Sequence, residues 1–82
     1  MPNEIISAAL AKLVAGRDLE ESEARAVLLE IMGGRANEPQ TAAFLSALRV
    51  KGETAEEIVG MARAMTELAE KVEVDADVIL DT

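Results

Sequence analysis

The sequence contains no cysteine and no histidine. Their absence excludes disulfide bonds, thiolate or imidazole metal ligands, cysteine nucleophiles and histidine acid–base catalysts. Tyrosine and tryptophan are absent too, and the only aromatic residue is Phe44, so a hydrophobic core must be almost wholly aliphatic. The lack of cysteine fits a reducing compartment, and we predict a cytoplasmic location.

Basic residues are scarce. The 82 residues include 16 acidic and 8 basic side chains, for a net charge of −8 at pH 7. The lysines and arginines are spread singly along the chain, whereas a nucleic-acid surface needs them concentrated on one face. No apolar run approaches the roughly 18 residues of a membrane span. The start, MPNEIISAAL, lacks the basic region and long apolar core of a signal peptide. We therefore predict neither a nucleic-acid partner nor a membrane partner.

What the chain has in abundance is apolar residues at helical spacing, and half of it is hydrophobic. Asn3 is a suitable N-cap for the first helix, and Gly16 and the Gly33-Gly34 pair are suitable helix ends. The fold class predicted is all-α, a small four-helix orthogonal or bundle domain over residues 1–73. The helices are predicted near residues 4–15, 21–33, 38–51 and 55–71.

Two of these helices have distinctive sequences. The third opens with NEPQ, in which Asn37 can cap, Pro39 suits the first turn and Gln40 can reach back to complete a capping box. Its small residues would let another helix approach closely: Ala42, Ala43, Ser46 and Ala47. The fourth contains Gly60, at a cost of about 1 kcal/mol relative to alanine, which predicts a close helix contact in compensation. Its predicted apolar face comprises Ile58, Met61, Ala62, Met65, Leu68, Ala69 and Val72.

The last residues change period. In VEVDADVIL, apolar and other residues alternate, which is typical of an extended strand. We predict a short extended C-terminal tail over residues 74–82, as a linker or the first strand of an α/β domain. Since a lone strand is not stable by itself, the chain is expected to be the front part of a larger protein.

The stretch RVKGETAEEI, residues 49–58, allows two interpretations. Lysine, glycine and threonine occur in phosphate-binding loops, but that loop needs the order glycine-lysine-threonine after a strand. Here a helix precedes Lys51, and glutamates crowd the following helix start. A turn explains the residues better: Gly52 ends helix 3, and Thr54 and Glu57 form the capping box of helix 4.

Other candidate chemistry is weak. The carboxylate pairs Glu20/Glu21, Glu56/Glu57 and Asp75/Asp77 are interpreted as solvated helix caps or tail residues rather than catalytic pairs. DADVILD lacks the central glycine and terminal glutamate of a calcium loop. Met32, Met61 and Met65 are interpreted as core filler. We assign no catalytic, cofactor-binding or metal-binding residue.

The run from Gly33 to Met65, GGRANEPQTAAFLSALRVKGETAEEIVGMARAM, resembles the N-terminal helical domain of anthranilate phosphoribosyltransferases. QTAAFLSALRVKGET and EEIVG are its most specific parts, and the resemblance extends over the whole chain. It implies a two-domain parent that transfers phosphoribosyl from phosphoribosyl pyrophosphate (PRPP) to anthranilate, with magnesium, in tryptophan biosynthesis. In that family a strand like VILDT leads into a glycine-rich GTGGD pyrophosphate loop, so the catalytic groups are expected beyond Thr82.

The resemblance implies that this domain forms a homodimer interface and one wall of the interdomain cleft, and that the 82 residues alone are inactive. Two alternatives remain open: the same domain of a pyrimidine nucleoside phosphorylase, and a free-standing helical interaction module. Sequence following Thr82 would separate them. A GTGGD sequence there would support the anthranilate phosphoribosyltransferase. A lysine- and serine-rich phosphate loop would support the nucleoside phosphorylase, and a stop codon would support the free-standing module.

Overall fold

The protein was analysed as a computed structural model that describes the backbone of residues 3–80 and the side chains of residues 3–71. Within this range the regular structure is entirely helical, which confirms the predicted all-α fold of four helices. The first three helices agree with their predicted bounds to within one residue. The helices are α1 (Glu4–Val14), α2 (Glu21–Met32), α3 (Glu38–Lys51) and α4 (Ala55–Leu80).

The structure corrects the predicted tail. Helix α4 continues to Leu80, whereas the sequence predicted a helix end near residue 71 and an extended segment over 74–82. No strand is described beside this segment, so an extended backbone there would leave its N–H and C=O groups without partners in the protein, whereas a helix pairs them internally. Residues 81–82 lie outside the described range. The predicted domain boundary at residue 73 stays a prediction.

The helices pack in the spatial order α3, α1, α2, α4. Helix α4 contacts mainly α2, and α1 lies between α2 and α3. Phe44 is fully buried and is the largest side chain of an otherwise aliphatic core. This core comprises Ile6, Ala9, Leu13, Leu19, Ala24, Val27, Phe44 and Leu48. Because α3 and α4 stand at opposite ends of the order, each has a side that no other described helix covers.

Two predicted caps are confirmed, and one predicted capping interaction is wrong. The side chains of Asn3 and Asn37 accept backbone N–H groups in the first turns of α1 and α3. The Gln40 side chain does not close a capping box. Its amide donates to the Asn3 carbonyl and to Ser7 Oγ, both at 3.1 Å, and its Oε1 accepts the Asn3 N–H at 2.8 Å. Gln40 thus joins the starts of α1 and α3, because the backbone N–H and C=O of Asn3 both lie within its reach.

The contact between α2 and α4 is close at Gly60. A Cβ atom at this position would overlap the Glu21 carbonyl oxygen and lie 3.1 Å from the Ala24 Cβ. This geometry confirms that Gly60 is present because two helix backbones approach each other there. Further along the same helix pair, the Arg25 guanidinium forms a bidentate pair with the Glu67 carboxylate, with two N–O distances of 2.9 Å.

Candidate functional site: a buried ion pair and two uncovered surfaces

A buried ion pair joins the α3–α4 turn to the loop between α1 and α2. The Glu57 side chain is fully buried, with 0% exposure, and its Oε2 accepts the Leu19 backbone N–H at 2.7 Å. Its Oε1 accepts the Thr54 N–H at 2.8 Å and the Lys51 Nζ at 3.0 Å. Lys51, only 8% exposed, also bonds Asp18 at 2.8 Å. The carboxylate therefore has a partner for each oxygen, as a buried charge requires.

This geometry settles the interpretation of RVKGETAEEI. Gly52 has a φ of +95° after the end of α3, where glycine is favoured over other residues. The Thr54 hydroxyl accepts the Glu57 N–H at 3.2 Å, which completes the capping box. The predicted helix stop and start are confirmed. The prediction that Glu57 is a solvated cap is wrong, because the α1–α2 loop covers it, while its neighbour Glu56 is exposed as expected.

The pKa of the Glu57 carboxyl reflects opposing effects. Burial alone would raise it, but the N–H groups of Leu19 and Thr54, together with the Lys51 ammonium, bring the pKa below its ordinary value. The Lys51 pKa is raised, first by the hydrogen bond to Asp18 and then by the Glu57 carboxylate, although burial opposes this shift. Both shifts favour the charged pair.

We expect the stability of the chain to fall as the pH drops below the ordinary carboxyl pKa of 4.5. The pKa values of Glu23 and Glu30 are also lowered, mainly by hydrogen bonds from the Glu20 N–H and from Asn3 respectively. The unfolded chain therefore binds protons at pH values where the folded chain does not. Thermal unfolding from pH 7 to pH 3 checks this, and Glu57→Gln should show a shallower acid decrease. A wild-type midpoint that is constant over this range would contradict it.

The other predicted carboxylate pairs do not form a site among the described residues. Glu20 is exposed, and Glu21 lies 3.6 Å from the Arg63 guanidinium of α4. The side chains of Asp75 and Asp77, and with them the DADVILD segment, lie outside the described side chains. Over the described part of the chain, no three His, Cys, Asp or Glu side chains gather as a metal ion would require. None of the described helices combines the length and apolarity needed to cross a membrane.

One uncovered surface lies between the C-terminal halves of α1 and α3. The apolar side chains of Val14 and Val50 are 78% and 88% exposed. They border a groove of about 600 Å³, which we call the α1–α3 groove, lined by Leu13, Val14, Gly16, Ser46, Ala47, Val50 and Lys51. No acidic residue lines it. Ser46 and Ala47 are two of the small residues that predicted close approach of another helix.

The second uncovered surface is the α4 outer face, opposite the side that packs on α2. It contains only uncharged residues, all exposed: Ala55, Ile58, Val59, Ala62, Met65, Thr66 and Ala69. The single apolar face predicted for α4 therefore included residues from two different sides of the helix, one packed on the core and one exposed. Met61 packs against the core, but Met65 does not, and Met32 and Met65 are each 50% exposed. The prediction that both act as core filler is wrong.

The sequence model of the glycosyl transferase family, helical bundle domain, matches residues 7–69. The chain belongs to this family. The matched residues include most of α1, all of α2 and α3, the α3–α4 turn and the part of α4 that packs on α2. The helices that frame both uncovered surfaces are therefore elements of the glycosyl transferase helical domain.

Several anthranilate phosphoribosyltransferases are similar to this glycosyl transferase family member. Over 78 residues it is 50% identical to the Anaeromyxobacter dehalogenans enzyme, covering 95% of this chain and 23% of that one. Over 78 residues it is 51% identical to the Desulforudis audaxviator enzyme, covering 95% and 22%. Over 74 residues it is 53% identical to the Chloroflexus aggregans enzyme, covering 90% and 22%. The chain thus spans less than a quarter of their length. No solved structure matches it.

Proposed function

We propose that this chain is the helical dimerisation and cleft-forming domain of an anthranilate phosphoribosyltransferase. The observation that carries the proposal is a sequence identity of 50–51%, over 95% of the chain, to enzymes of that name. These relatives favour that enzyme over the nucleoside phosphorylase alternative. We assign PRPP, magnesium and the chemical step of the whole enzyme to polypeptide other than these 82 residues. A cytoplasmic location stays a prediction.

A wall of a cleft needs a rigid domain, and two features support rigidity here. The buried Lys51–Glu57 pair holds the α1–α2 loop against the α3–α4 turn. The close backbone contact at Gly60 fixes α4 against α2. Both features concern contacts between elements that are distant in sequence, so they constrain the tertiary arrangement of the helices rather than each helix alone.

The functional assignment is tested with a chimera in which this chain replaces the matching segment of the Anaeromyxobacter dehalogenans enzyme. We expect the chimera to transfer phosphoribosyl from PRPP to anthranilate and the isolated chain to show no transfer. The isolated chain mixed with the remainder of the relative is a second arm. Activity of the isolated chain would overturn its proposed inactivity. A chimera that folds but stays inactive, or that does not fold, would count against the proposed function.

The α1–α3 groove is the surface we propose for dimerisation. The chain carries a net charge of −8, so two copies repel unless they meet where acids are absent. The groove meets this condition, because its lining includes no Asp or Glu. Its two valines are the most exposed large apolar side chains described. Burying one valine contributes roughly 1.5–3 kcal/mol, and a two-fold interface buries each of them twice.

We expect the isolated chain to self-associate at tens of micromolar and Val50→Glu to weaken this at least about tenfold, since a loss of about 1.4 kcal/mol already has that effect. The matched control is Val59→Glu on α4, which adds the same charge outside the groove and should leave association unchanged. Sedimentation equilibrium measures both. Only monomer for the parent chain, or equal weakening by the two variants, would contradict the proposed interface.

A further inference from the structure

One side chain ties the start of α3 to the start of α1. The Gln40 amide pairs with both backbone groups of Asn3: the Asn3 N–H donates to Gln40 Oε1 at 2.8 Å, and Gln40 Nε2 donates to the Asn3 carbonyl at 3.1 Å. Gln40 Nε2 also donates to Ser7 Oγ at 3.1 Å. Two bonds to one residue fix direction as well as distance, as they do between paired residues of adjacent strands. We call this arrangement the Asn3–Gln40 clasp.

The residue that Gln40 holds is itself fixed to α2. The Asn3 side-chain amide donates to Glu30 Oε1 at 2.9 Å and to the Arg35 carbonyl at 3.3 Å. Its Oδ1 accepts the Ile5 N–H at 3.0 Å as the cap of α1. The clasp therefore places α3 relative to the frame that α1 and α2 form together.

The α1–α3 groove has little inside it that could set its own width. Its α3 side carries the small residues Ser46 and Ala47, which do not reach across to α1. Packed helices tolerate a scatter of roughly 15–20° in their crossing angle. Gln40 lies about 15 Å along α3 from Val50, so a tilt of about 15° would displace one of these ends against the other by about 4 Å. The width of the groove therefore depends on what holds the helices outside it.

The other contacts near the groove do not fix the helices as closely as the clasp does. Leu13 of α1 and Leu48 of α3 are buried, but apolar contact is non-directional and does not set a register. Lys51 bonds Asp18 at 2.8 Å, which ties α3 to the α1–α2 loop through a flexible four-carbon stem. Over the described side chains, the side-chain hydrogen bonds between α3 and α1 with its cap are all made by Gln40.

We infer that Gln40 is a positioning residue for the dimer interface: the Asn3–Gln40 clasp sets the distance and tilt between α1 and α3 at which the α1–α3 groove receives a second copy. The inference rests on the proposed function, in which this groove is the dimerisation surface. Gln40 does not line the groove, so it acts on the interface only through the placement of α3. A variant of Gln40 should therefore weaken self-association without changing any residue of the groove.

A distance measurement tests the placement directly. The chain has no cysteine, so Val14→Cys combined with Val50→Cys allows specific spin labelling at two exposed positions, one on each helix that borders the groove. Double electron–electron resonance should give one narrow distance distribution. Adding Gln40→Met, which keeps the length of the side chain but cannot form the clasp, should broaden or shift the distribution by about 4 Å. An unchanged distribution would overturn the inference.

The matched control is Arg25→Lys. Arg25 ties α2 to α4 through its bidentate bond to Glu67, and lysine keeps the charge but not the two-bond geometry. The variant therefore loosens a helix pair away from the groove. It should leave the distance distribution and the self-association of the chain unchanged, and a change as large as that of Gln40→Met would contradict a specific role for the clasp.

Self-association separates positioning from stability. Sedimentation equilibrium of folded chains, well below the unfolding midpoint of each variant, should show association about fivefold weaker for Gln40→Met than for the parent chain. A clasp that only stabilised the fold would lower the midpoint and leave the association of the folded chain unchanged. That result would overturn the inference and leave the proposed dimer surface standing, whereas a parent chain that stays monomeric would overturn both.

Gln40→Glu replaces Gln40→Met if the methionine variant does not fold. Glutamate has the shape of glutamine and still accepts the Asn3 N–H, but its second oxygen meets the Asn3 carbonyl and repels it. The distance distribution should again broaden or shift. If neither variant folds, the clasp is required for folding rather than for placing α3, and the inference is overturned.

Discussion

Replacing Gly60 with alanine should destabilise the chain, although alanine is the better helix former. The substitution gains about 1 kcal/mol of helix propensity. Against this, the new Cβ would overlap the Glu21 carbonyl oxygen and press on Ala24, and backbone atoms cannot rotate away as a side chain can. Overpacking typically costs about 1–3 kcal/mol and sometimes more. After the gain in propensity we expect a net loss of up to about 2 kcal/mol for Gly60→Ala, with a larger loss for Gly60→Val.

Urea unfolding followed by far-ultraviolet circular dichroism measures the effect, since the chain has no tryptophan. The matched control is Thr66→Ala, an exposed position of the same helix, which should raise the midpoint slightly because propensity acts there without a clash. The opposite signs of the two changes are the diagnostic result. If Gly60→Ala raises the midpoint as Thr66→Ala does, then α2 and α4 are not in close backbone contact at this position.

Helix boundaries were predictable from the sequence because the signals that set them are local. Asn3 and Asn37 cap helices through atoms two or three residues away, and Gly52 ends α3 through its own φ angle. The close contact at Gly60 was also predictable, because a glycine within a helix needs compensation. The family was recognisable because these signals occur in a specific order within one continuous run.

The environments of individual side chains were less predictable. Glu57 has the spacing of an ordinary cap, and its burial depends on the Leu19 N–H, 38 residues away in sequence. Helical periodicity could not show which side of α4 faces inward, because the outer side has no charged residue and Ile58 and Met61 fit a single broad stripe.

The tail shows a related ambiguity. Its alternating residues predicted a strand, but Val72, Ala76 and Ile79 also continue the helical spacing of Met65 and Ala69, and α4 extends to Leu80. A strand is stable only beside another strand, whereas a helix needs no second segment for its backbone hydrogen bonds. Local pattern alone therefore does not decide this segment, because the choice depends on what lies beside it.

The largest loss of stability is expected for Glu57→Ala. The substitution removes the acceptor for the backbone N–H groups of Leu19 and Thr54 and the buried partner of Lys51. Breaking a buried ion pair by removing one partner costs about 3–5 kcal/mol, which is a large part of the roughly 5–15 kcal/mol that stabilises a typical domain. We expect a urea midpoint reduced by about half or more. Glu56→Ala, at the exposed neighbour, should stay within about 0.5 kcal/mol of the parent chain.

Variants of Lys51 separate two roles of the Glu57 carboxylate, its backbone hydrogen bonds and its ion pair with Lys51. Lys51→Met should cost less than Glu57→Ala, because Glu57 keeps both backbone N–H bonds while Asp18 stays largely exposed. Replacing a buried pair with two apolar residues often restores stability. Here Lys51→Met combined with Glu57→Leu should not restore it, since the N–H groups of Leu19 and Thr54 would still be buried without an acceptor. A double variant as stable as the parent would show that the ion pair, rather than the two backbone bonds, makes Glu57 necessary.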